Sequence, residues 1–432
     1  MGIQIYDLKT MDPVIKAKIM RRAEEDISEQ MKIAREIADD VKANGDQAVI
    51  KYTEKFDRAK LTPGSIKVTQ EEIEEGYKKV SDEYRDALEF AAKNIRLFHE
   101  KQMPEPIWFT ETSPGIMAGE QTQPVPDICI YVPRGKGSFP SVMLMMAIPA
   151  VVAQVPNIVI LTPPNEEGTL DDGVLAAAKV CGVSNIYKAG GIQGVAAVAY
   201  GTETIPKCSK IIGPGSSYVT AAKRVLSDEI DAGTPAGPSE GVILADGFAD
   251  YEKVGLDLMI EAEHGPDSAA LLVTDSRELA EKVKEFVAGQ IPKLSEQRKR
   301  FVETVFSEYG GIIITESLQE SIDFINDYAP EHMEVMTKDP WEVLPKIKNA
   351  GEILLGENTP ITMANFLIGV NAILPTGRSA RTHSSVSVFD FLKKTSVGYV
   401  TKDGFESARK HASVFARVEG FETHALAVEE RK

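Results

Sequence analysis

The sequence predicts an α/β protein with two parallel-sheet domains, on three observations. From Ile128 onward, short β-rich apolar runs alternate with helical stretches: "ICIYVP", a helix around Met143 to Gln154, "IVILT", a helix around Leu170 to Cys181, "NIYKAGG", a helix after Gln193, and "KIIGPG". After Gly237 a second series has the same texture: "GVILAD", a helix from Asp250, "ALLVTD", a helix from Ser276 to Leu294, "GIIIT", a helix near Leu318 to Asp327, "MEVMT" and "EILLG". The turns closing the strands are glycine-rich, as crossover connections in parallel sheets require. Before the first series, Ile27, Met31, Ala34, Ile37, Ala38 and Val41 fall at helical spacing and Asn44-Gly45 supplies a stop. Charge-rich helices continue through "EEIEEGYKKVSDEYRDALEFAAKNIRLFHEKQM". After Pro375 the chain reads as loop and then as helices, "SVFDFLKKTSV" and the amphipathic tail from Asp403.

A length of 432 residues allows two or more domains and a sizeable core. A net charge of -17 argues against nucleic acid as a partner, because phosphate-backbone binders need a basic footprint. "RKR" at Arg298 to Arg300 reads as a solvated helix face. Cys129, Cys181 and Cys208 are far apart and odd in number, which points to a reducing cytoplasm and offers no zinc-thiolate site. No secretory signal is evident at the start, and Tyr6 spoils the myristoylation pattern that Met-Gly suggests. The least charged run, Gly137 to Asn165, is divided by prolines into a buried helix and a buried strand, so no membrane span is expected.

Two constellations carry chemistry. In "MIEAEHGPDSAALLVTD", Asp250 is a plausible N-cap for a helix that puts Val254, Leu258 and Glu261 on one stripe, and His264 follows as the helix breaks at Gly265-Pro266. A carboxylate and an imidazole on one side suit a divalent ion, although two ligands do not make a site and such a pair more often marks a capped helix end. His332 is one of six histidines and stands beside Glu331 in "YAPEHMEVMT". Adjacent Glu and His at a helix-to-strand junction suit divided proton-transfer work, with an ordinary surface pair as the alternative. "KAGGIQGVAAVAYG" and "KIIGPGSSYVTAAKR" place backbone amides where an anionic cofactor can approach, without the usual dinucleotide spacing. "AGPSEG" is a tight turn that exposes Ser239.

Together, "YVPRGKGSFPSVMLMMAIPA", "AGGIQGVAAVAYGT", "GPGSSYVTAAKR", "AGPSEGVILAD", "AEHGPDS", "APEHMEV", "NAILPTGRSARTHSSVSVFDFLKK" and "EGFETHALAVEER" resemble the histidinol dehydrogenase family across nearly the whole chain. The resemblance implies two Rossmann-like domains with small terminal helical domains, in a domain-swapped homodimer that exchanges its C-terminal arm. It implies a zinc- and NAD-dependent dehydrogenase that oxidises a primary alcohol through an aldehyde to a carboxylate. By position, Glu331 and His332 match the acid-base pair, Tyr131, Gln193 and Ser216 the NAD contacts, and Glu261, His264, Asn365 and His424 the metal ligands. The implied substrate contacts are Ser239, Glu261, His264, His332, Asn365, Glu419 and His424, with Glu419 and His424 reaching in from the partner. The expected division is an N-terminal helical segment 1–26, a zinc and catalytic domain of 27–130 with 240–380, an NAD domain of 131–239, and an exchanged arm of 381–432.

The departures matter as well. The family's ligating glutamine is here Glu261 and its ligating aspartate is Asn365, an exchange that keeps the summed ligand charge. A family histidine is replaced by Ala372, an asparagine near NAD by Ser216, and the loop "RGKGSFP" carries Arg134 and Lys136. These changes put the imidazole-shaped pocket in question and keep a sulfopropanediol-type anionic diol open as substrate, with a non-catalytic binding homologue as the rival of another class.

Overall fold

The computed structural model describes residues 2–22, 27–134, 138–233 and 237–431. Lys136 and Ala236 therefore lie outside the described residues. The first α/β series forms a four-stranded parallel sheet of β4 (Asp127–Tyr131), β5 (Asn157–Thr162), β6 (Ile186–Lys188) and β7 (Ile211–Ile212), in the spatial order β6-β5-β4-β7. Counted from its first strand this is 3-2-1-4, the order of a dinucleotide-binding half, whose crevice opens where the order reverses, at the carboxyl ends of β4 and β7.

The second series forms β8 (Glu240–Ala245), β9 (Ala269–Thr274), β10 (Gly311–Ile314), β11 (His332–Met336) and β12 (Glu352–Leu355), joined at one edge by β1 (Ile5–Asp7). Its order, β1-β10-β9-β8-β11-β12, repeats the same winding, and every pairing is parallel. Both sheets are covered on two faces, which is why their strands read as continuous apolar runs rather than alternating ones. Alternation still sorts the faces. Val242, Leu244, Met333 and Val335 pack against Ile322, Ile325 and Tyr328, while Ile243 and Ala245 pack against Val254 and Leu258 of the Tyr251–Ala262 helix.

The apolar run at 137–165 resolves as expected into a buried helix, Pro140–Val152, and β5. No helix among the described residues is long and apolar enough to cross a membrane. "RKR" lies on the Glu296–Glu308 helix with Arg298 and Lys299 half-buried and Arg300 exposed.

Three expectations need correction. Residues 27–130 do not group with 240–380. The stripe Ala34, Ile37, Ala38 and Val41 is buried against Leu161 and the Gly191–Tyr200 helix, and Leu88 and Ile95 against Met143 and Ile130, so the helices before β4 clothe the four-stranded sheet. Segment 1–26 is not wholly helical, because Ile5 to Asp7 pair with Ile312 to Ile314 before the Pro13–Arg21 helix begins. "SVFDFLKKTSV" is not a helix. A capping box between Ser387 and Asp390 closes a short turn at Phe391, and β13 (Leu392–Val400) then pairs antiparallel with β3 (Ile116–Pro124), which also pairs with β2 (Ile107–Ser113). The tail ends in two helices, Lys402–Val418 and Glu422–Glu429.

Gly45, the expected stop, breaks the helix without ending it. The helical segment runs from Ser28 to Asp57 with Gly45 at φ 51, ψ -132, and Glu203 accepts from the Asp46 amide at 2.8 Å across the break. Only glycine holds that conformation without strain. Gly45→Ala should therefore cost about 1–3 kcal/mol, seen as a lower midpoint in thermal unfolding. An unchanged midpoint would mean that the break relaxes freely.

Candidate active site

The six-stranded sheet gathers its polar side chains at the amino ends of three adjacent strands. Glu331 and His332 enter β11, Glu240 opens β8 and Glu352 opens β12; the Tyr251–Ala262 helix, running opposite to the strands, brings Glu261 to the same end. The N-cap is as expected, with the Asp250 side chain accepting from the Glu252 amide. Gly241 permits the approach: a Cβ there would lie 2.9 Å from Glu261 Cγ.

His332 is buried, and its Nδ1 lies 2.5 Å from Glu352 Oε1. Its Nε2 faces Glu331 Oε1 at 3.8 Å, and Glu331 Oε2 accepts from the Glu240 amide at 2.8 Å. The carboxylate at Glu352 therefore fixes the ring and leaves Nε2 as the nitrogen available for proton transfer. Burial by itself disfavours a charged imidazole, but the negative Glu261, Glu331 and Glu352 outweigh it and push His332 up to about 10. Burial, with Glu261 and Glu240 adding like charge, pushes Glu331 well above the usual carboxylate range, against the opposing pull of His332 and the Glu240 amide. A neutral acid beside a charged imidazole gives two adjacent groups that hold protons where solvent would release them.

Glu261 is 1% exposed and neither carboxylate oxygen has a hydrogen-bond partner. A buried, unpartnered carboxylate is costly unless a cation completes it. His264 Nδ1 stands 3.4 Å from Glu261 Oε2 and 3.0 Å from the Ile260 carbonyl. Because a carbonyl only accepts, Nδ1 holds the ring proton and Nε2 keeps a lone pair, the orientation of a metal-binding histidine. Asn365 sits half-buried on the Ile361–Phe366 helix, whose Ala364 and Ile361 pack with Ile260. Among the described residues no three His, Cys, Asp or Glu side chains converge as a metal site; Glu261 and His264 supply two candidate donors, with Asn365 on a neighbouring element. His424 and Glu419 are exposed on the tail, His424 packs on Phe421, and among the described residues neither is bonded to Glu261 or His264 within the chain.

Ser239 is half-buried just before β8, and its carbonyl accepts from the Ala269 amide at 2.9 Å. At the crevice of the four-stranded sheet, the buried Tyr131 hydroxyl accepts from the Gly191 amide at 3.0 Å. Gln193, in the first turn of the following helix, has a buried Oε1 without a partner. Ser216 is an exposed N-cap whose side chain makes no capping bond. These groups suit the polar edge of a dinucleotide laid across helix N-termini. A cavity of about 540 Å³ lies at the same strand ends, lined by Phe56, Asp57, Arg58, Arg134, Pro163, Glu166 and Glu167. Arg134 donates to the Pro164 carbonyl at 3.0 Å and its charge acts on Asp57, so it serves this cavity rather than the acid-base pair.

Sequence reasoning missed Glu352, Glu240 and Glu334. Each is an acidic residue at the head or inside of an otherwise apolar strand run, which is the signal that could have found them. The alternation of β11 puts Glu334 on the same face as His332, where its Oε1 accepts from the Ile361 amide at 2.6 Å.

Twin parallel sheets, one with a dinucleotide-type crevice and the other with a buried Glu-His pair, define an α/β enzyme of the dehydrogenase class. The family model described as histidinol dehydrogenase matches residues 20–432. The chain belongs to the histidinol dehydrogenase family, whose members are NAD-dependent dehydrogenases. It is similar to histidinol dehydrogenase from Synechocystis sp., with 49% identity over 99% of each chain. It is also similar to a histidinol dehydrogenase homolog from Colwellia psychrerythraea, with 47% identity over 99% of this chain and 96% of the relative. The crystal structure of histidinol dehydrogenase from Elizabethkingia anophelis superimposes with a TM-score of 0.94 at 35% identity, covering 99% of this chain and 97% of that one.

Glu261 is the first of the charges that raise His332. A divalent cation on Glu261 would offset that charge, so His332 should titrate at lower pH in the presence of added zinc than in the presence of a chelator. An NMR pH titration of the labelled imidazole in both states checks this, and coincident curves would place the cation elsewhere.

Proposed function

We propose that this chain is a zinc- and NAD-dependent dehydrogenase that oxidises a primary alcohol through an aldehyde to a carboxylate, and that it works as a homodimer exchanging its C-terminal arm. The observation that carries the reading is the buried His332-Glu331 pair beside the unpartnered carboxylate of Glu261. Glu261, His264, Asn365 and the partner subunit's His424 would hold the zinc, which when bound supplies a Lewis acid that orients and polarises a polar group of the substrate. NAD, held by Tyr131, Gln193 and Ser216, supplies the hydride acceptor.

The remaining work belongs to the chain. With the Glu261 charge offset, the ring of His332 is released from the proton it otherwise retains and its Nε2 takes the hydroxyl proton of the alcohol, with Glu352 stabilising the charged ring. Glu331 manages the proton of the water that adds to the aldehyde. Ser239 and the partner subunit's Glu419 bind substrate polar groups. No thiol takes part: Cys129, Cys181 and Cys208 are buried and unpaired, and burial pushes Cys181 and Cys208 up to about 12. These free thiols agree with a cytoplasmic enzyme. The tail presents Val414, Phe415, Val418 and Phe421 to solvent, an apolar stripe in keeping with an exchanged arm that is covered in the dimer.

L-Histidinol is the substrate the family membership favours. An anionic diol of the sulfopropanediol type is kept as the second reading because Ala372, half-buried against the first core, the one around Ile130 and Met143, replaces an imidazole. Arg134 gives that second reading no support, since it is engaged at the other sheet.

Turnover of L-histidinol against such diols, with NADH counted, tests the whole. Two NADH per alcohol are expected from one of them, and free aldehyde with one NADH would remove the second oxidation. Zinc-loaded protein inert towards all of them would instead favour a binding role. His332→Gln should slow the alcohol step about 10²–10⁴-fold with metal content retained; loss of metal would make His332 a ligand. Glu261→Gln should weaken zinc retention in dialysis, and Asn365→Asp in that background should recover it. Independent effects of the two changes would end the idea of a compensated exchange.

A further inference from the structure

Arg22 ends the Pro13–Arg21 helix far from β11 in sequence, yet it is buried at the acid-base pair. Its Nε lies 2.9 Å from Glu240 Oε2. Its Nη2 donates to the carbonyls of Tyr328 at 2.6 Å and Ala329 at 3.2 Å, its Nη1 donates to Met20 O at 3.2 Å, and the guanidinium stacks 3.6 Å from the centre of the Tyr328 ring. Glu240 is equally committed: Oε1 accepts from the Gly377 amide at 2.7 Å, and its own backbone amide is the donor to Glu331 Oε2. Ala329, two residues before Glu331, holds the left-handed conformation at φ 54, which a non-glycine residue adopts at a cost of about 1 kcal/mol or more.

Arg22 therefore grips both supports of Glu331. One is the strained turn that delivers it, and the other is the residue whose amide holds it. A buried ion pair is a poor source of stability, because desolvation offsets the attraction and an apolar pair of similar size often serves as well. Its value here is geometric. We propose that Arg22 and Glu240 are positioning residues that hold the Glu331 carboxyl in its working orientation, so that the N-terminal segment is part of the active-site architecture. The proposal rests on the role given above to Glu331.

A double-mutant cycle tests it. Arg22→Met should lower kcat at least about 10-fold with KM changed less than about 3-fold. In a Glu331→Gln background the same change should cost less than about 2-fold, because Arg22 acts through Glu331. Losses that multiply across the two positions would show a merely structural role and overturn the proposal. If Arg22→Met does not fold, Arg22→Met with Glu240→Gln leaves no unpaired buried charge and should melt near the parent while still losing rate; parental kcat would overturn the proposal.

A crystal structure of that double variant needs no substrate. The Glu331 carboxyl should leave the residue 240 amide, and a carboxyl still in place would sink the idea. This arm remains decisive even if the parent oxidises no alcohol, an outcome that would sink the functional reading alone.

Discussion

The site is governed by a surplus of negative charge in a place with little water. The side chains of Glu240, Glu261, Glu331 and Glu352 surround those of His332 and Arg22, and none of the six is more than 9% exposed. Four carboxylates cannot all ionise against two cations in such surroundings, so protons are retained where solvent would release them. That retention raises His332 and Glu331 together, so both hold protons near neutrality while the Glu261 charge stands uncompensated.

The two sheets gather their candidate site groups at opposite ends. The four-stranded sheet follows the usual rule, with glycine turns and Tyr131 at its carboxyl ends. The six-stranded sheet carries its acid-base groups at the amino ends of β8, β11 and β12. One loop ties the two. Asn371 donates to the Met145 carbonyl at 2.5 Å and lies 3.3 Å from His99 Nε2 in the first core, while Thr376 and Gly377 hold the Gly237 amide and the Glu240 carboxylate.

Sequence alone showed the two α/β series, because parallel strands buried on both faces leave runs such as "NIVILT" and "AALLVT" that little else produces. It also singled out Glu261, His264, Glu331 and His332, whose residue types and junction positions are informative by themselves. The packing of 28–57 on the four-stranded sheet was missed because an amphipathic stripe states that a face is buried, never against what. β13 was misread because "LKKTSV" alternates weakly and its partner strand is hundreds of residues away. Glu352, Glu240 and Arg22 were missed for a similar reason: their roles arise from contacts between segments distant in sequence, as in the 2.5 Å approach of His332 to Glu352.

The small antiparallel sheet has a consequence for how the chain is made. β3 pairs along its whole length with β13, from Leu392 against Pro124 to Val400 against Ile116. Synthesis at about 5–20 residues per second leaves the outer edge of β3 waiting on the order of tens of seconds for that partner. During this interval a ribosome-bound hairpin bearing Ile107, Trp108 and Phe109 offers an open, sticky rim to neighbouring nascent chains. The pairing with β13 thus closes an edge that stays open while residues 125–391 are being made.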